Sequence, residues 1–254
     1  MILAVDAGNS NIVLGCMEGL EIRHTLRLKT DRAMSAAGYT VTLQAALAQA
    51  GFSVAGFEGG ILSSVVAAVT EPLRQTLSAL LSGPVLVVGK TAKTTLPLCI
   101  DQPETIGADL IAAAEGALAQ YAPPLVLIDM GTATTFSVLD KSGAFLGGAI
   151  APGVQLGAEA LTQRTGLPMT ELSAPQSPLS HSTTDCLRSG IIYGAAAMVD
   201  GMLDRLETAL GTPVTAIATG GLAHCVILHC RRPVTLDDQL LLRGLAVMYR
   251  REMT

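Results

Sequence analysis

The feature that most constrains the fold of this chain is a short unit that occurs twice, half a chain apart. An apolar run over residues 2–5 ends in the polar cluster Asp6-Ala7-Gly8-Asn9-Ser10-Asn11. A second apolar run, over residues 125–128, ends in Asp129-Met130-Gly131-Thr132-Ala133. Each cluster precedes a second β-rich run, a turn that contains glycine, and a third run. A whole unit that repeats in this way usually reflects a duplicated architecture.

The chemistry of each unit follows from where its strand stops. A strand that ends at an acidic residue, turns through a glycine and returns as a hairpin places backbone N–H groups beside a carboxylate at the loop tip. Two such tips facing each other would bind a polyphosphate. An ordinary hairpin turn uses the same residue types. Either cluster alone fits both interpretations, and the repetition favours the phosphate loops.

The composition limits the classes of partner. Half of the 254 residues are hydrophobic, which is enough to build one long domain or two smaller ones, and the repeat favours two. The net charge is −5 and Lys and Arg form no cluster. A nucleic-acid surface requires basic patches, so we expect a small-molecule partner and no nucleic acid.

Neither a targeting segment nor a membrane span is predicted. Asp6 interrupts the first apolar run, and no basic segment precedes it. The longest alanine-rich stretch, residues 110–121, contains Glu115 and is shorter than the roughly 20 residues that a bilayer requires. The five cysteines are an odd number without a Cys-x-x-Cys pair, as expected of reduced thiols. We therefore expect a cytoplasmic protein without membrane contact.

Pro123-Pro124 marks the expected domain boundary, because the two prolines separate a helical stretch from the second Asp-Gly unit. The expected domains are residues 1–122 and 123–254. Alternating polarity predicts a half-buried strand over residues 21–29. Capping residues, glycines and apolar spacing predict helices over residues 39–50, 70–82, 107–120, 153–164, 184–210 and 237–251.

Asp109 falls in the first turn of the helix predicted over residues 107–120. A carboxylate at a helix N-terminus is commonly a surface residue that the helix dipole stabilises. The same position can also aim a carboxylate at a substrate. The sequence pattern alone leaves both interpretations open.

Four motifs, in chain order, resemble those of one enzyme family: Asp6-x-Gly8-Asn9-Ser10-Asn11, Gly107-Ala108-Asp109, Asp129-x-Gly131-Thr132-Ala133-Thr134-Thr135 and Gly147-Gly148-x-Ile150-Ala151-Pro152-Gly153. The chain resembles the type III pantothenate kinases, a Bvg accessory factor-like family in the superfamily of acetate and sugar kinases, heat-shock ATPases and actin. The likeness continues through Gly220-Gly221 and Leu242-Arg243-Gly244-Leu245. It implies an α/β fold with a duplicated actin-like ATPase (ribonuclease H-like) unit, in two domains with a cleft between them.

The resemblance implies a homodimer that uses ATP to phosphorylate pantothenate to 4'-phosphopantothenate, the first step of coenzyme A biosynthesis. It implies Mg²⁺ with the ATP, and potassium or ammonium at Asp129. Asp109 would accept the proton of the substrate's primary hydroxyl as a general base. The nucleotide would contact Asp6, Ala7, Gly8, Asn9, Ser10, Asn11, Ile12, Val13 and Thr132. The substrate would contact Ile100, Gly107, Ala108, Asp109, Leu110 and Thr184.

Two positions depart from the family's pattern. The family has Arg after Gly-Ala-Asp and Tyr nine residues before the Asp, where this chain has Leu110 and Ile100. In the family those two residues hold the pantothenate carboxylate, through charge-assisted bonds that aliphatic side chains cannot make. Three alternatives follow: a pantothenate kinase that holds the carboxylate by other groups, a kinase for a less polar hydroxyl substrate, and a non-catalytic ATP-binding regulatory protein.

Overall fold

The computed structural model describes every residue from Met1 to Thr254. The chain folds into two compact units, each made of segments that are not contiguous in sequence. Unit 1 contains Met1–Leu96, Asp101–Gln120 and Gln239–Thr254. Unit 2 contains Pro97–Ile100 and Tyr121–Asp238.

Strands and helices alternate along the chain. The strands are β1 (Ile2–Ala7), β2 (Asn11–Glu18), β3 (Glu21–Lys29), β4 (Gly59–Ser64), β5 (Val85–Val87), β6 (Leu125–Met130), β7 (Ala133–Leu139), β8 (Phe145–Pro152), β9 (Thr215–Thr219) and β10 (Thr235–Leu236). The helices are α1 (Ala36–Gln49), α2 (Ala67–Leu80), α3 (Ala108–Leu118), α4 (Val154–Thr165), α5 (Thr183–Leu210), α6 (Ala223–Ile227) and α7 (Leu240–Met253).

The sheet of unit 1 has the order β3-β2-β1-β4-β5. β1 is antiparallel to β2 and parallel to β4. Because successive residues of a strand face opposite sides, Leu3 and Val5 pack into one core with α1 and α2, and Ile2 and Ala4 pack into a second core with α3 and α7. Helices on both faces explain why the first apolar run is continuous rather than alternating.

The sheet of unit 2 has the order β10-β9-β6-β7-β8. β6 is antiparallel to β7 and parallel to β9, as β1 is to β2 and β4. Val126 and Ile128 of β6 pack against Ile192 and Val199 of α5. The second sheet therefore repeats the strand order of the first, and the duplication predicted from the two Asp-Gly clusters is present in the structure.

The compact units differ from the contiguous ranges 1–122 and 123–254 in two segments and by two residues at the boundary. Helix α7 belongs to unit 1, because Leu242, Leu245 and Met248 are buried in the core that also holds Ile2 of β1. Residues 97–100 belong to unit 2, because the Phe145 N–H donates to the Pro97 carbonyl at 2.9 Å. Both assignments depend on long-range contacts.

Most predicted elements are present with ends shifted by a few residues. β3 has the predicted bounds and alternates exposed with half-buried residues. α5 ends at Gly211, which adopts the left-handed conformation at φ 65°. The predicted start of α2 was wrong: Thr70 lies inside the helix, where its hydroxyl donates to the Val66 carbonyl at 2.9 Å. No helix has both the length and the apolar character needed to cross a membrane.

Candidate active site

The first loop connects β1 to β2 through residues 8–10. The Gly8 N–H donates to the Asn11 carbonyl at 3.0 Å and closes the turn. Thr30 holds the loop from the end of β3: its hydroxyl donates to the Gly8 carbonyl at 2.7 Å, and its N–H donates to the Ser10 carbonyl at 3.1 Å. These bonds orient the loop's peptide groups before any ligand binds.

Asp6, the last polar residue of β1, is half-buried at the base of this loop. Ser63 lies beside it in β4, and its hydroxyl donates to Asp6 Oδ1 at 2.9 Å. Ser63 is fully buried. The carboxylate is therefore held in one orientation by a donor from the neighbouring parallel strand.

The second loop connects β6 to β7 in unit 2 and is equally tight. The Gly131 N–H donates to the Ala133 carbonyl at 3.0 Å, and the Gly153 N–H donates to the Thr132 carbonyl at 3.2 Å. A Cβ on Gly153 would lie 2.5 Å from the Gly131 carbonyl oxygen, so only glycine permits this approach. The end of β8 thus supports the loop from beneath.

Asp129, at the base of the second loop, lies close to a glycine and opposite a threonine. Gly220 has φ 94°, and a Cβ there would lie 2.5 Å from Asp129 Oδ1. Thr135 is directly opposite Asp129 in the antiparallel pair β6–β7, so both side chains face the same side of the sheet. The hydroxyls of Thr134 and Thr135 are buried and have no hydrogen-bond partner in the chain. Buried hydroxyls ordinarily have one.

Asp109 lies in the first turn of α3, as predicted. Burial raises the pKa of its carboxyl above the ordinary value, and backbone N–H groups partly oppose that rise. One of these donors is the Leu110 N–H, 2.8 Å from Asp109 Oδ1. A Cβ on Gly107 would collide with Asp109 Oδ1, so the glycine of the Gly107-Ala108-Asp109 motif makes room for the carboxylate.

Unit 1 brings the first loop and the start of α3 to the same residue, Val65. The Val65 N–H donates to the Ala7 carbonyl at 3.2 Å. Val65 Cγ1 would lie 3.6 Å from a Cβ on Gly107. Ala7 of the predicted nucleotide residues and Gly107 of the predicted substrate residues therefore both adjoin Val65.

The other predicted site residues, Ile100, Thr132 and Thr184, lie in unit 2 with Asp129. Ile100 is half-buried and approaches Gly147 of β8, where a Cβ would lie 3.5 Å from Ile100 Cγ2. Thr132 is exposed at the tip of the second loop, and Thr184 is exposed in the first turn of α5.

Sequence reasoning missed several residues that shape the site. Ser63 and Val65 could have been found from the rule that the carboxyl ends of parallel strands meet at one edge of a sheet. Arg188 on α5 was also missed: its guanidinium contacts Asp185 Oδ1 at 3.1 Å and the Ser173 carbonyl at 3.1 Å. It lies four residues after Thr184, on the same face of the helix.

Comparison with known proteins identifies the family of the chain. A family model described as type III pantothenate kinase matches residues 2–205. A type III pantothenate kinase from Exiguobacterium sp. (strain ATCC BAA-1283 / AT1b) is 38% identical over 252 residues, which are 99% of each chain. One from Moorella thermoacetica is 35% identical over 252 residues, again 99% of each chain.

Solved structures show the same fold. A Baf family protein from Campylobacter jejuni superposes with a TM-score of 0.65 at 17% identity, over 99% of this chain and 98% of that one. The ROK hexokinase from Thermus thermophilus gives 0.54 at 15% identity, over 98% and 99%. The predicted fold class, a duplicated actin-like ATPase fold in two domains, is confirmed. The chain belongs to the type III pantothenate kinase family.

Proposed function

We propose that this protein transfers the γ-phosphoryl group of ATP to the primary hydroxyl of pantothenate. The product is 4'-phosphopantothenate, and the reaction is the first step of coenzyme A biosynthesis. The observation that carries the proposal is the half-buried Asp109 carboxylate at the start of α3, in the same compact unit as a glycine loop whose peptide groups are held by hydrogen bonds. Family membership over the whole chain supports it.

The first loop suits a polyphosphate. Phosphoryl transfer depends chiefly on positioning and charge stabilisation, and backbone N–H groups over Gly8 to Asn11 supply donors without a mobile side chain. Ala7, Ile12 and Val13 continue the same hairpin. Thr132 adds a hydroxyl and an N–H from the second loop. Asp6 would take part through Mg²⁺, which neutralises phosphate charge when bound, because a bare carboxylate repels phosphate.

The surroundings of Asp129 suit a monovalent cation such as potassium or ammonium. Hard cations prefer oxygen ligands. The Asp129 carboxylate, with the Thr135 hydroxyl that has no partner in the chain, provides such ligands, and the Gly220 backbone lies close because it carries no Cβ. A bound cation would supply positive charge that balances phosphate charge. No group of three or more His, Cys, Asp or Glu suggests a competing transition-metal site.

Asp109 would act on the substrate hydroxyl. As the hydroxyl oxygen attacks the γ-phosphorus, its proton passes to an Asp109 carboxylate oxygen, and the bond between the γ-phosphorus and the bridging oxygen of ADP breaks. A carboxylate whose pKa is raised by burial is a stronger base than one in water. Gly107 and Ala108 allow the substrate to approach this helix end closely.

Recognition of the substrate carboxylate requires a donor, which Leu110 and Ile100 do not supply. We propose Arg188 for this role. It shares a face of α5 with Thr184, and its side chain is 25% accessible. Its guanidinium contacts Asp185, Ser173 and Ala174 in the chain, so a substrate carboxylate would have to replace some of these contacts. Arg binds carboxylates through two parallel hydrogen bonds. This assignment agrees with family membership, because a pantothenate kinase needs a group that binds the carboxylate of its substrate.

A second candidate is a family member that binds ATP but acts on another hydroxyl compound or only regulates. The aliphatic Leu110 and Ile100 favour it. A coupled assay of ADP release, with and without pantothenate, separates the alternatives. Pantothenate-dependent release supports the proposed function, whereas ATP binding without turnover supports the regulatory alternative.

The proposed assembly is a cytoplasmic homodimer. Exposed apolar side chains on unit 2, including Ile150 at 79% and Leu179 at 74%, give it surface that another copy can cover. All five cysteines are free thiols, as in reducing compartments. Light scattering of the purified protein tests the dimer, and a monomer mass at micromolar concentration would exclude it.

A further inference from the structure

Helix α7 is held on the sheet of unit 1 by large side chains. Leu242, Leu245 and Met248 are buried in one core with Ile2 of β1. Leu242 fills the space above Gly15 of β2, where a Cβ would lie 2.9 Å from Leu242 Cδ1. Large side chains that interdigitate in this way allow the helix one position on the sheet.

Helix α3, which begins at the Asp109 turn, packs on α7 mainly through small residues. Ala112, Ala113, Ala114 and Ala117 make up most of its buried middle. Where the helices cross, their backbones touch: a Cβ on Gly244 would lie 2.8 Å from the Gly116 nitrogen and would also collide with the Ala112 carbonyl. Apart from Ile111, the buried face of α3 offers few of the side-chain ridges that fix how far one helix is displaced along another.

An ion pair between a buried glutamate and a partly exposed arginine joins the two helices at one register. Glu115 of α3 is 6% exposed, and Arg251 Nη1 of α7 lies 3.0 Å from each of its carboxylate oxygens. The Thr94 hydroxyl donates to the same carboxylate at 2.9 Å, and Arg251 Nη2 donates to the Lys93 carbonyl at 2.7 Å. A buried polar pair of this kind can specify register even where it adds little stability.

We propose that Glu115 and Arg251 are positioning residues that hold α3 at one height along α7 and thereby place the Asp109 carboxylate. The inference rests on the proposed function, because the height of α3 matters to turnover only if Asp109 is the base. One residue of displacement along a helix is about 1.5 Å. An error of about 1 Å at reacting groups lowers a rate about a hundredfold.

The test replaces the pair by apolar side chains of similar length, Glu115→Met with Arg251→Met. Replacing a buried ion pair in this way is often neutral or stabilising, so the variant should keep its Tm. We expect kcat for pantothenate to fall about tenfold or more, while KM for ATP stays unchanged because the first loop is untouched.

Two further variants make the test specific. Arg251→Lys retains the charge and should keep more of kcat than the double variant. Glu71→Gln with Arg74→Gln removes an exposed pair on α2 and should leave kcat unchanged. If the Met variant does not fold, the inference depends on Arg251→Lys, which should lower kcat several-fold without lowering Tm.

The outcomes separate this inference from the proposed function. Wild-type turnover with unchanged kcat in both the Met and Lys variants overturns the inference alone. A fall in kcat that merely follows a fall in Tm, or that comes with an equal rise in KM for ATP, also overturns it. Absence of pantothenate turnover by the wild type overturns the proposed function, and the inference with it.

Discussion

The two Asp-Gly hairpins share a backbone but differ in what packs against their carboxylates. β1 and β6 have the same burial pattern, in which a single half-buried aspartate follows four buried residues. Beside Asp6 stands a hydroxyl donor, Ser63, at 2.9 Å. Beside Asp129 stand the bare backbone of Gly220 and the hydroxyl of Thr135, which has no partner in the chain.

The difference is consistent with the two roles proposed for the loops. Duplication supplies the same loop geometry twice, and different residues pack on each loop. A glycine loop anchored by Thr30 suits phosphate oxygens, whereas a carboxylate opposite a buried hydroxyl that has no partner in the chain suits a cation. Substitutions at each loop distinguish the two proposed roles.

Removing the first carboxylate should have the largest effect. Asp6→Asn should lower turnover about a hundredfold or more, because a neutral amide cannot hold the metal that accompanies ATP. Ser63 can still donate to the amide oxygen, so the circular dichroism spectrum and Tm should persist. ADP release by the coupled assay measures the effect. Glu18→Gln, a substitution of an exposed residue on β2, serves as the control. Wild-type turnover in Asp6→Asn would contradict the role proposed for Asp6.

Restoring the two family residues that hold the pantothenate carboxylate tests whether their loss changed the substrate. If nothing replaced the clamp, Leu110→Arg with Ile100→Tyr should bind pantothenate about 10- to 100-fold more tightly, as one or more charge-assisted bonds predict. Calorimetry measures binding apart from rate, because an arginine beside Asp109 can lower the pKa of that base. Equal affinity in wild type and variant would mean that another group, such as Arg188, already holds the carboxylate.

The two threonine hydroxyls on β7 provide a matched pair. Thr135→Val should raise the potassium concentration for half-maximal activity about tenfold, through loss of one oxygen ligand. Thr134→Val removes an equally buried hydroxyl from the opposite face and should leave potassium dependence unchanged. Titrations of activity with KCl measure both. Equal shifts in the two variants would contradict a cation site on the Asp129 face.

The ionised Asp109 carboxylate should lower the free energy of unfolding at pH 7, because its surroundings are partly shielded from water. The pKa of the Asp109 carboxyl is raised in the folded state. The carboxyl therefore contributes its full share to the free energy of unfolding at a pH below its pKa in the unfolded chain, and that contribution is lost as the pH rises through its pKa in the folded protein. Asp109→Asn should therefore unfold at a higher denaturant concentration than wild type at pH 7, and the difference should shrink in acid. The variant should also lose turnover. A variant less stable than wild type at pH 7 would contradict the desolvated-base assignment.

The repeated hairpins could be predicted from the sequence, whereas contacts between residues far apart in the sequence could not. Both hairpins, and the position of Asp109 in a first helical turn, follow from local residue patterns. That α7 would pack in unit 1 was not predictable, because the contact of Gly244 with Gly116 joins residues far apart in sequence. Thr135 looked like an ordinary strand residue until its hydroxyl proved to have no partner.

The central claim is that the first loop binds phosphate and the second loop binds a monovalent cation. The most direct test is to measure the rate of pantothenate-dependent ADP release in different chloride salts. Wild-type activity should rise with potassium or ammonium and stay low in sodium or lithium, as the resemblance to the family implies. Asp129→Ala should lose that dependence while its ATP affinity persists. Equal wild-type rates in all of these salts, or unchanged potassium activation in Asp129→Ala, would contradict the account.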